Sequence, residues 1–148
     1  MKRIFESCRV ALWCCLVMGL VGCGGTDSTE DATTEPFSRR ADGMASVLEV
    51  IGATPDPPLR ADYNAWIVTL ETPDGMPLVG CEMTADPRMP AHGHGTTPLP
   101  TVTPVDGMDG HYQVSPLNLF MAGLWEVTFR YTCGDLEDEA AVTVVVES

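Results

Sequence analysis

A short segment near the middle of the chain contains two of its three histidines. His92 and His94 stand two residues apart in the run Met-Pro-Ala-His-Gly-His-Gly at residues 89–95. Side chains at positions i and i+2 of an extended backbone point the same way, so both imidazoles can meet one ion. Imidazole with thioether suits copper, whereas imidazole with carboxylate suits zinc or nickel. The segment therefore indicates a transition-metal site, with copper as the favoured ion.

Three further residues are candidate ligands beside this pair. Met89 lies three residues before His92 and is the best placed of them, while His111 and Met121 are weaker candidates. His111 begins a predicted strand, where we expect it to be exposed, and Met121 lies in an apolar run, where methionine ordinarily fills the core. The alternative for the whole segment is a structural loop, in which Met89 closes the end of the domain and the histidines form hydrogen bonds between loops.

The sequence lacks the patterns of the common catalytic sites. It has no nucleophile elbow, no phosphate-binding loop and no His-Glu-x-x-His helix. Two imidazoles also fall short of the three protein ligands that a catalytic zinc site usually has. We therefore expect a protein that is not an enzyme.

The amino terminus has the features of an export signal. Basic residues precede an apolar run from Val10 to Val21, which is shorter than the roughly 20 residues that span a bilayer and fits the hydrophobic part of a signal peptide. The run ends in Leu-Val-Gly-Cys at residues 20–23. This tetrapeptide resembles the bacterial lipobox, whose cysteine is acylated and becomes the mature N-terminus. We therefore predict cleavage before Cys23 and a lipid anchor on that residue.

Lipidation of Cys23 implies a location in the cell envelope, with the protein anchored to a membrane and facing the periplasm. Gly24, rather than aspartate, follows the cysteine, which under the sorting rule of enteric bacteria favours the outer membrane over the inner one. The polar segment that comes next is typical of a disordered tether. We therefore divide the chain into a signal peptide (1–22), a lipidated cysteine with a linker (23–43) and one folded domain (44–148).

Charge restricts the partners of the mature chain. The full sequence has 8 basic and 21 acidic residues. Removal of the signal takes away three basic residues and one acidic residue. The remaining 5 basic and 20 acidic residues give a formal charge of −15. Such a surface excludes nucleic acid, whose phosphates need lysine and arginine. We expect a monomer that contacts the membrane through its lipid and has envelope proteins as possible partners.

Cleavage also simplifies the cysteines, because only Cys81 and Cys133 remain in the folded part. Two cysteines in an exported domain are expected to form a disulfide. The alternative is a pair of thiolates that bind a metal. A disulfide between these positions would join either the two sheets of the domain or two neighbouring strands.

Short β-rich runs alternate with Pro, Gly and Asp from residue 44 onward, which predicts an all-β fold with a single antiparallel β-sandwich of about seven strands. Trp66 and Trp125 are the expected core anchors, and the acidic run at residues 135–139 is expected to be a solvated hairpin loop. The predicted strands are Ser46–Gly52, Asn64–Glu71, Leu78–Ala85, Thr101–Val105, His111–Leu117, Gly123–Thr132 and Ala140–Val146.

Four motifs stand out between Asn64 and Val146: residues 72–80, Met89–Gly95, Gly110-His111-Tyr112 and Met121–Val127. Through them the chain, from about Asn64 to Val146, resembles the YtkA-like family, small exported Ig-like domains related to the FixH-like proteins. The resemblance implies an Ig-like sandwich in the envelope. Because some members are associated with copper handling or oxidase assembly, it also implies that His92, His94 and Met89 are copper ligands. A histidine often precedes the family's Met-x-Gly, where this chain has Phe120.

Overall fold

The structure, a computed structural model, describes residues 36–60 and 63–148. The predicted signal peptide, the lipidation site at Cys23 and residues 24–35 of the predicted linker lie outside these ranges. Within them, no helix has the length and apolar character needed to cross a membrane.

The described residues form nine strands in two antiparallel sheets, which confirms the predicted all-β sandwich and adds two short strands to the seven expected. The five-stranded sheet has the order β1-β2-β3-β7-β6, and the four-stranded sheet has the order β5-β4-β8-β9. The strands are β1 (Arg40–Asp42), β2 (Val47–Thr54), β3 (Asn64–Glu71), β4 (Glu82–Met89), β5 (His94–Gly95), β6 (Thr101–Pro104), β7 (His111–Leu117), β8 (Gly123–Cys133) and β9 (Leu136–Val146).

The core lies between the two sheets and follows from alternation along the strands. In β3 every second residue is buried, including Trp66, and in β8 the same alternation turns Trp125 and Phe129 inward. Both tryptophans are fully buried, as predicted. Burial of each such side chain contributes roughly 1.5–3 kcal/mol relative to exposure, so the two facing rows account for much of the stability of the sandwich.

The segment before β2 belongs to the domain, so the predicted linker boundary at residue 43 is wrong. Phe37 forms a bridge with Val144 of β9, and its ring centroid lies 5.1 Å from that of Trp66. The chain then pairs with β2 as strand β1. Residues 36–42 therefore run from the edge of one sheet to the edge of the other. Because polar and basic residues surround Phe37 in the sequence, the composition of this segment resembles that of a linker.

The third predicted strand is shifted along the chain, because β4 begins at Glu82 and not at Leu78. The stretch before it is held from the side by Tyr112 of β7. The Tyr112 hydroxyl donates to the carbonyl oxygen of Leu78 (2.9 Å) and accepts from the amide of Cys81 (3.2 Å). A buried phenol therefore satisfies backbone groups that the prediction assigned to a sheet.

The acidic run is also placed differently from the prediction, because β9 begins at Leu136 and the loop is confined to its first residues. Asp138 points inward and is only 7 % exposed. Its carboxylate accepts from the Ser46 hydroxyl (2.6 Å) and from the amides of Met44 (3.0 Å) and Ala45 (2.9 Å). Asp138 thus fastens the turn between β1 and β2 to the opposite sheet.

Two titration shifts accompany this contact. Burial raises the pKa of Asp138, but the bonds from Ser46 and from the amides of Ala45, Met44 and Glu139 outweigh it and lower the pKa from 3.8 to about 2. The Tyr131 hydroxyl lies 2.6 Å from the Ser46 oxygen, and burial, with a contribution from the nearby Asp138 charge, raises the pKa of Tyr131. The buried group is therefore a charged carboxylate surrounded by donors, beside a neutral phenol.

The predicted disulfide is present between Cys81 and Cys133, with an S–S distance of 1.99 Å. Cys81 directly precedes β4, and Cys133 is the last residue of β8, which pairs with β4. The bond therefore joins neighbouring strands of one sheet rather than the two sheets. Its formation also excludes a metal site made of two free thiolates.

Candidate metal site at the histidine hairpin

Residues 89–95 form a tight β-hairpin between β4 and β5, which we call the histidine hairpin. Met89 pairs with His94, and the amides of His92 (3.1 Å) and Gly93 (3.0 Å) both donate to the Met89 carbonyl oxygen. Pro90 occupies the second position of the turn, where its fixed φ is favourable. Gly93 has a φ of +67°, a left-handed conformation that glycine adopts without a steric penalty. The Pro and Gly residues of the motif therefore shape the turn that presents the histidines.

The two imidazoles lie side by side at the tip of this hairpin. Their ring centroids are 5.7 Å apart, with an angle of 40° between the planes. Two imidazoles that bind one ion at roughly 2 Å per nitrogen have centroids about 4.5–6.5 Å apart, depending on the angle at the ion. His92 is exposed and His94 is partly exposed. The pair is thus both spaced and accessible for a shared ion.

Two aromatic side chains pack against the His94 ring. His94 is stacked on Phe120, with centroids 5.6 Å apart and planes at 19°, and it meets Trp125 edge-on at 6.4 Å. Phe120 and Trp125 themselves pack at 5.5 Å. Aromatic pairs of this kind contribute about 0.5–1.5 kcal/mol beyond their buried area. Sequence reasoning missed this packing, since Phe120 and Trp125 are distant from the hairpin along the chain.

The two methionine candidates are placed against the core. Met89 is only 1 % exposed, and its terminal methyl carbon lies 2.9 Å from the position that a Cβ on Gly123 would occupy. Met121 is partly buried against the same core, and its carbonyl oxygen accepts from the Trp125 indole N–H at 2.9 Å. Both methionines therefore lie at the end of the sandwich that carries the hairpin, where they pack against the core.

His111 lies at the opposite end of the sandwich. It begins β7, next to Tyr112, whose hydroxyl reaches Cys81 before the start of β4, whereas the histidine hairpin follows the end of β4. The eight residues of β4 span roughly 23 Å at about 3.3 Å per step. The His111 Nδ1 atom lies 2.8 Å from the carbonyl oxygen of Asp109. The structure therefore does not bring His111 together with His92 and His94.

Histidine, cysteine and carboxylate side chains in the described ranges add no third ligand at the hairpin. Among the described residues, no three His, Cys, Asp or Glu side chains converge closely enough to hold a metal ion. The arrangement therefore offers two imidazole ligands on an aromatic base, with any other coordination positions open to water or to groups from another molecule.

Comparison with known proteins identifies one family. The sequence model of the YtkA-like family matches residues 45–130, a range that includes the histidine hairpin and most of both sheets. No curated protein and no solved structure matches the chain.

Proposed function

Because the chain belongs to the YtkA-like family, we propose that it is a lipid-anchored envelope protein whose histidine hairpin binds copper through His92 and His94. The observation that carries this proposal is the distance of 5.7 Å between the ring centroids of His92 and His94, which suits two ligands of one ion. The protein acts without catalysis, as a binding module in the periplasm. Its lipid anchor is on Cys23, with the outer membrane as the favoured location.

The ligand set suits an exchangeable ion. Imidazole is a good ligand for copper, and two protein ligands leave positions at the ion that water or a partner's side chain can fill. The strongly acidic mature chain also attracts cations to its surface. A site of this kind takes up and passes on an ion rather than holding it permanently.

Copper titration of the mature lipoprotein, solubilised in detergent, tests the proposal. We expect His92→Ala combined with His94→Ala to weaken copper binding by at least about 100-fold. Residues that only contact a metal ligand typically contribute 10–100-fold to affinity, and loss of a direct ligand should cost more. The matched control is His111→Ala, which removes an imidazole at the other end of the domain and should leave affinity unchanged. Equal affinity of the double variant and the wild type would refute the proposal.

Phe120 offers a gain of function at the same site. Because its ring lies directly against His94, Phe120→His should place a third imidazole beside the pair and tighten copper binding by at least about tenfold. Phe120→Leu is the control, since it removes the aromatic ring without adding a ligand. If the histidine and leucine variants bind copper equally, the hairpin does not contain the binding site.

A second candidate function is a structural or protein-interaction module of the envelope that binds no metal. The stacking of His94 on Phe120 favours it, because this contact orients the ring without an ion. Under this alternative, His94→Ala destabilises the fold while copper affinity stays at the level of an unrelated acidic protein. Thermal unfolding and copper titration of the same variant therefore separate the two functions.

A further inference from the structure

The histidine hairpin supplies only part of the ligand set that oxidised copper takes up. Copper(II) favours square-planar or tetragonal sites with nitrogen and oxygen ligands, and the two imidazoles fill two of the four positions of a square plane. In the part of the chain that the structure describes, no third His, Cys, Asp or Glu converges with them. The remaining ligands therefore come from water or from a second molecule.

The inner side of His94 offers no further ligand from this chain. Phe120 and Trp125 pack against the ring there, and a phenyl ring has no ligand atom. The Trp125 indole nitrogen carries a proton and donates it to the carbonyl oxygen of Met121 at 2.9 Å. Additional ligands must therefore reach the imidazole pair from its outer side.

The outer side of the pair is open. The turn residues 90–93 are exposed, and a Cβ built on Gly93 would meet no described atom within 4 Å. Strand β5, which carries His94, is the last strand at its edge of the four-stranded sheet, so no described strand lies beyond it. A second protein molecule can therefore approach the two imidazoles without displacing a part of this fold.

Charge distinguishes this surface from the rest of a strongly acidic chain. The hairpin lies within residues 89–105 and Phe120 within residues 112–125, and neither stretch contains Asp, Glu, Lys or Arg. The nearest charges along β4, Arg88 and Asp86, are paired with each other at 2.9 Å. Two copies that meet at their hairpins are therefore not separated by repulsion between facing carboxylates. The turns at the end of the sandwich that carries the disulfide contain exposed carboxylates, among them Asp106, Asp109 and Asp135.

We propose that two copies of this chain share one copper(II) ion through their histidine hairpins. A two-fold axis passes through the ion, and each copy supplies His92 and His94, so two imidazoles from each copy complete a set of four. Two-fold pairs of this kind are the commonest symmetric assemblies. The inference rests on copper binding at the hairpin, which is the proposed function.

The pair forms only with the ion. Two hairpin tips bury far less surface than the roughly 1,200 Å² of a stable protein interface, so the copper–imidazole bonds supply most of the affinity between the copies. Without the ion, the acidic chains separate and the protein is a monomer.

Copper(II) titration of the mature lipoprotein in detergent, with the protein mass of each particle measured by sedimentation, tests the pairing. We expect binding to end at one copper per two chains and the protein mass to double at that point. EDTA should reverse both changes. The electron paramagnetic resonance spectrum of the bound ion should show coupling to four nitrogens rather than two.

Ala91→Arg tests the position of the contact without removing a ligand. Ala91 is exposed in the turn beside His92, and an arginine there stays protonated and does not bind the ion. Two such arginines would repel each other across the axis, so the dissociation constant of the copper-bound pair should rise by at least about tenfold. Met76→Arg is the matched control, because it adds the same charge at an exposed position at the other end of the sandwich and should leave pairing unchanged.

The outcomes separate the pairing from the proposed function. Binding that ends at one copper per chain with an unchanged protein mass would refute the pairing and leave the copper site intact. Absence of copper binding would refute both. A doubled mass without copper, or equal pairing of the two arginine variants, would place the contact between copies away from the hairpin and so overturn the inference.

Discussion

Asp138→Asn should lower the free energy of unfolding by about 2–3 kcal/mol, since hydrogen bonds to a charged group contribute roughly 1.5–3 kcal/mol and an unpaired buried donor adds a penalty. The wild-type carboxylate accepts from the Ser46 hydroxyl and the amides of Met44 and Ala45. An asparagine keeps the shape but turns an NH₂ group toward some of these donors. Urea unfolding at neutral pH measures the loss.

Glu137→Gln is the matched control for this substitution. Glu137 neighbours Asp138 on the same strand but is exposed, so its neutralisation should change the free energy of unfolding by no more than about 0.5 kcal/mol. If Asp138→Asn were as mild as Glu137→Gln, the buried carboxylate would not be a structural fastening.

The same carboxylate should give the unfolding free energy a distinct dependence on pH. Its pKa is lowered from 3.8 to about 2 in the folded state, so the folded protein favours the charged form more than the unfolded chain does. The stabilisation is therefore fully present above about pH 5 and is lost as pH falls through 4 toward 2, with a magnitude of about 2 kcal/mol. The difference between wild type and Asp138→Asn should shrink over that range, and a constant difference would contradict this assignment.

The role of Asp138 shows why the acidic run was misinterpreted. Its donors belong to the turn between β1 and β2, more than ninety residues earlier in the chain. A carboxylate beside Glu137 and Glu139 has the sequence context of a solvated loop, and only the packing of β9 against that turn buries it. The absence of a side chain at Gly43 leaves room for the Asp138 carboxylate, because a Cβ at position 43 would lie 2.5 Å from the Asp138 Oδ2 atom.

Strands with regular alternation were predicted well from the sequence, and irregular ones were not. Strands β3 and β7 have the predicted limits, since alternation of buried and outward positions defines both ends. Strand β4 was misplaced because it contains Pro87 and several charged residues, which are unusual in a strand. The strand tolerates them because β5 pairs with only its last two residues, so most of its outer edge has no neighbouring strand. Strand β1 is too short to show a period.

The candidate site was predictable only in part. The spacing of His92 and His94 predicted two rings on one side of an extended backbone, and the rings do lie side by side. Residues 90–93 form a turn, however, so the turn and not strand alternation places the His92 ring. The aromatic base under His94 depends on the loop between β7 and β8, whose contact with the hairpin is tertiary. The separation of His111 likewise follows from strand direction, which no local pattern specifies.

Removal of the disulfide by Cys81→Ser with Cys133→Ser should lower the free energy of unfolding by about 2–4 kcal/mol. The cysteines are 52 residues apart, and closing a loop of that length in the unfolded chain accounts for about 4 kcal/mol in the chain-entropy treatment. Unfolding of the wild type in urea with and without reductant, compared with the double serine variant, measures the effect. The two ways of removing the bond should agree, because each leaves the same open chain.

The disulfide and Asp138 stabilise the same end of the sandwich by different means, which makes their combination informative. The disulfide restricts mainly the unfolded chain, whereas Asp138 strengthens the folded state through bonds to Ser46 and the turn around it. Their effects should therefore add to within about 0.5 kcal/mol in the triple variant. A markedly larger loss of unfolding free energy in the triple variant would mean that either contact alone keeps β9 against the turn. The end of the sandwich that carries the disulfide would then unfold once both contacts are absent. Additive losses would instead place the two contacts in one cooperative unit with the tryptophan core.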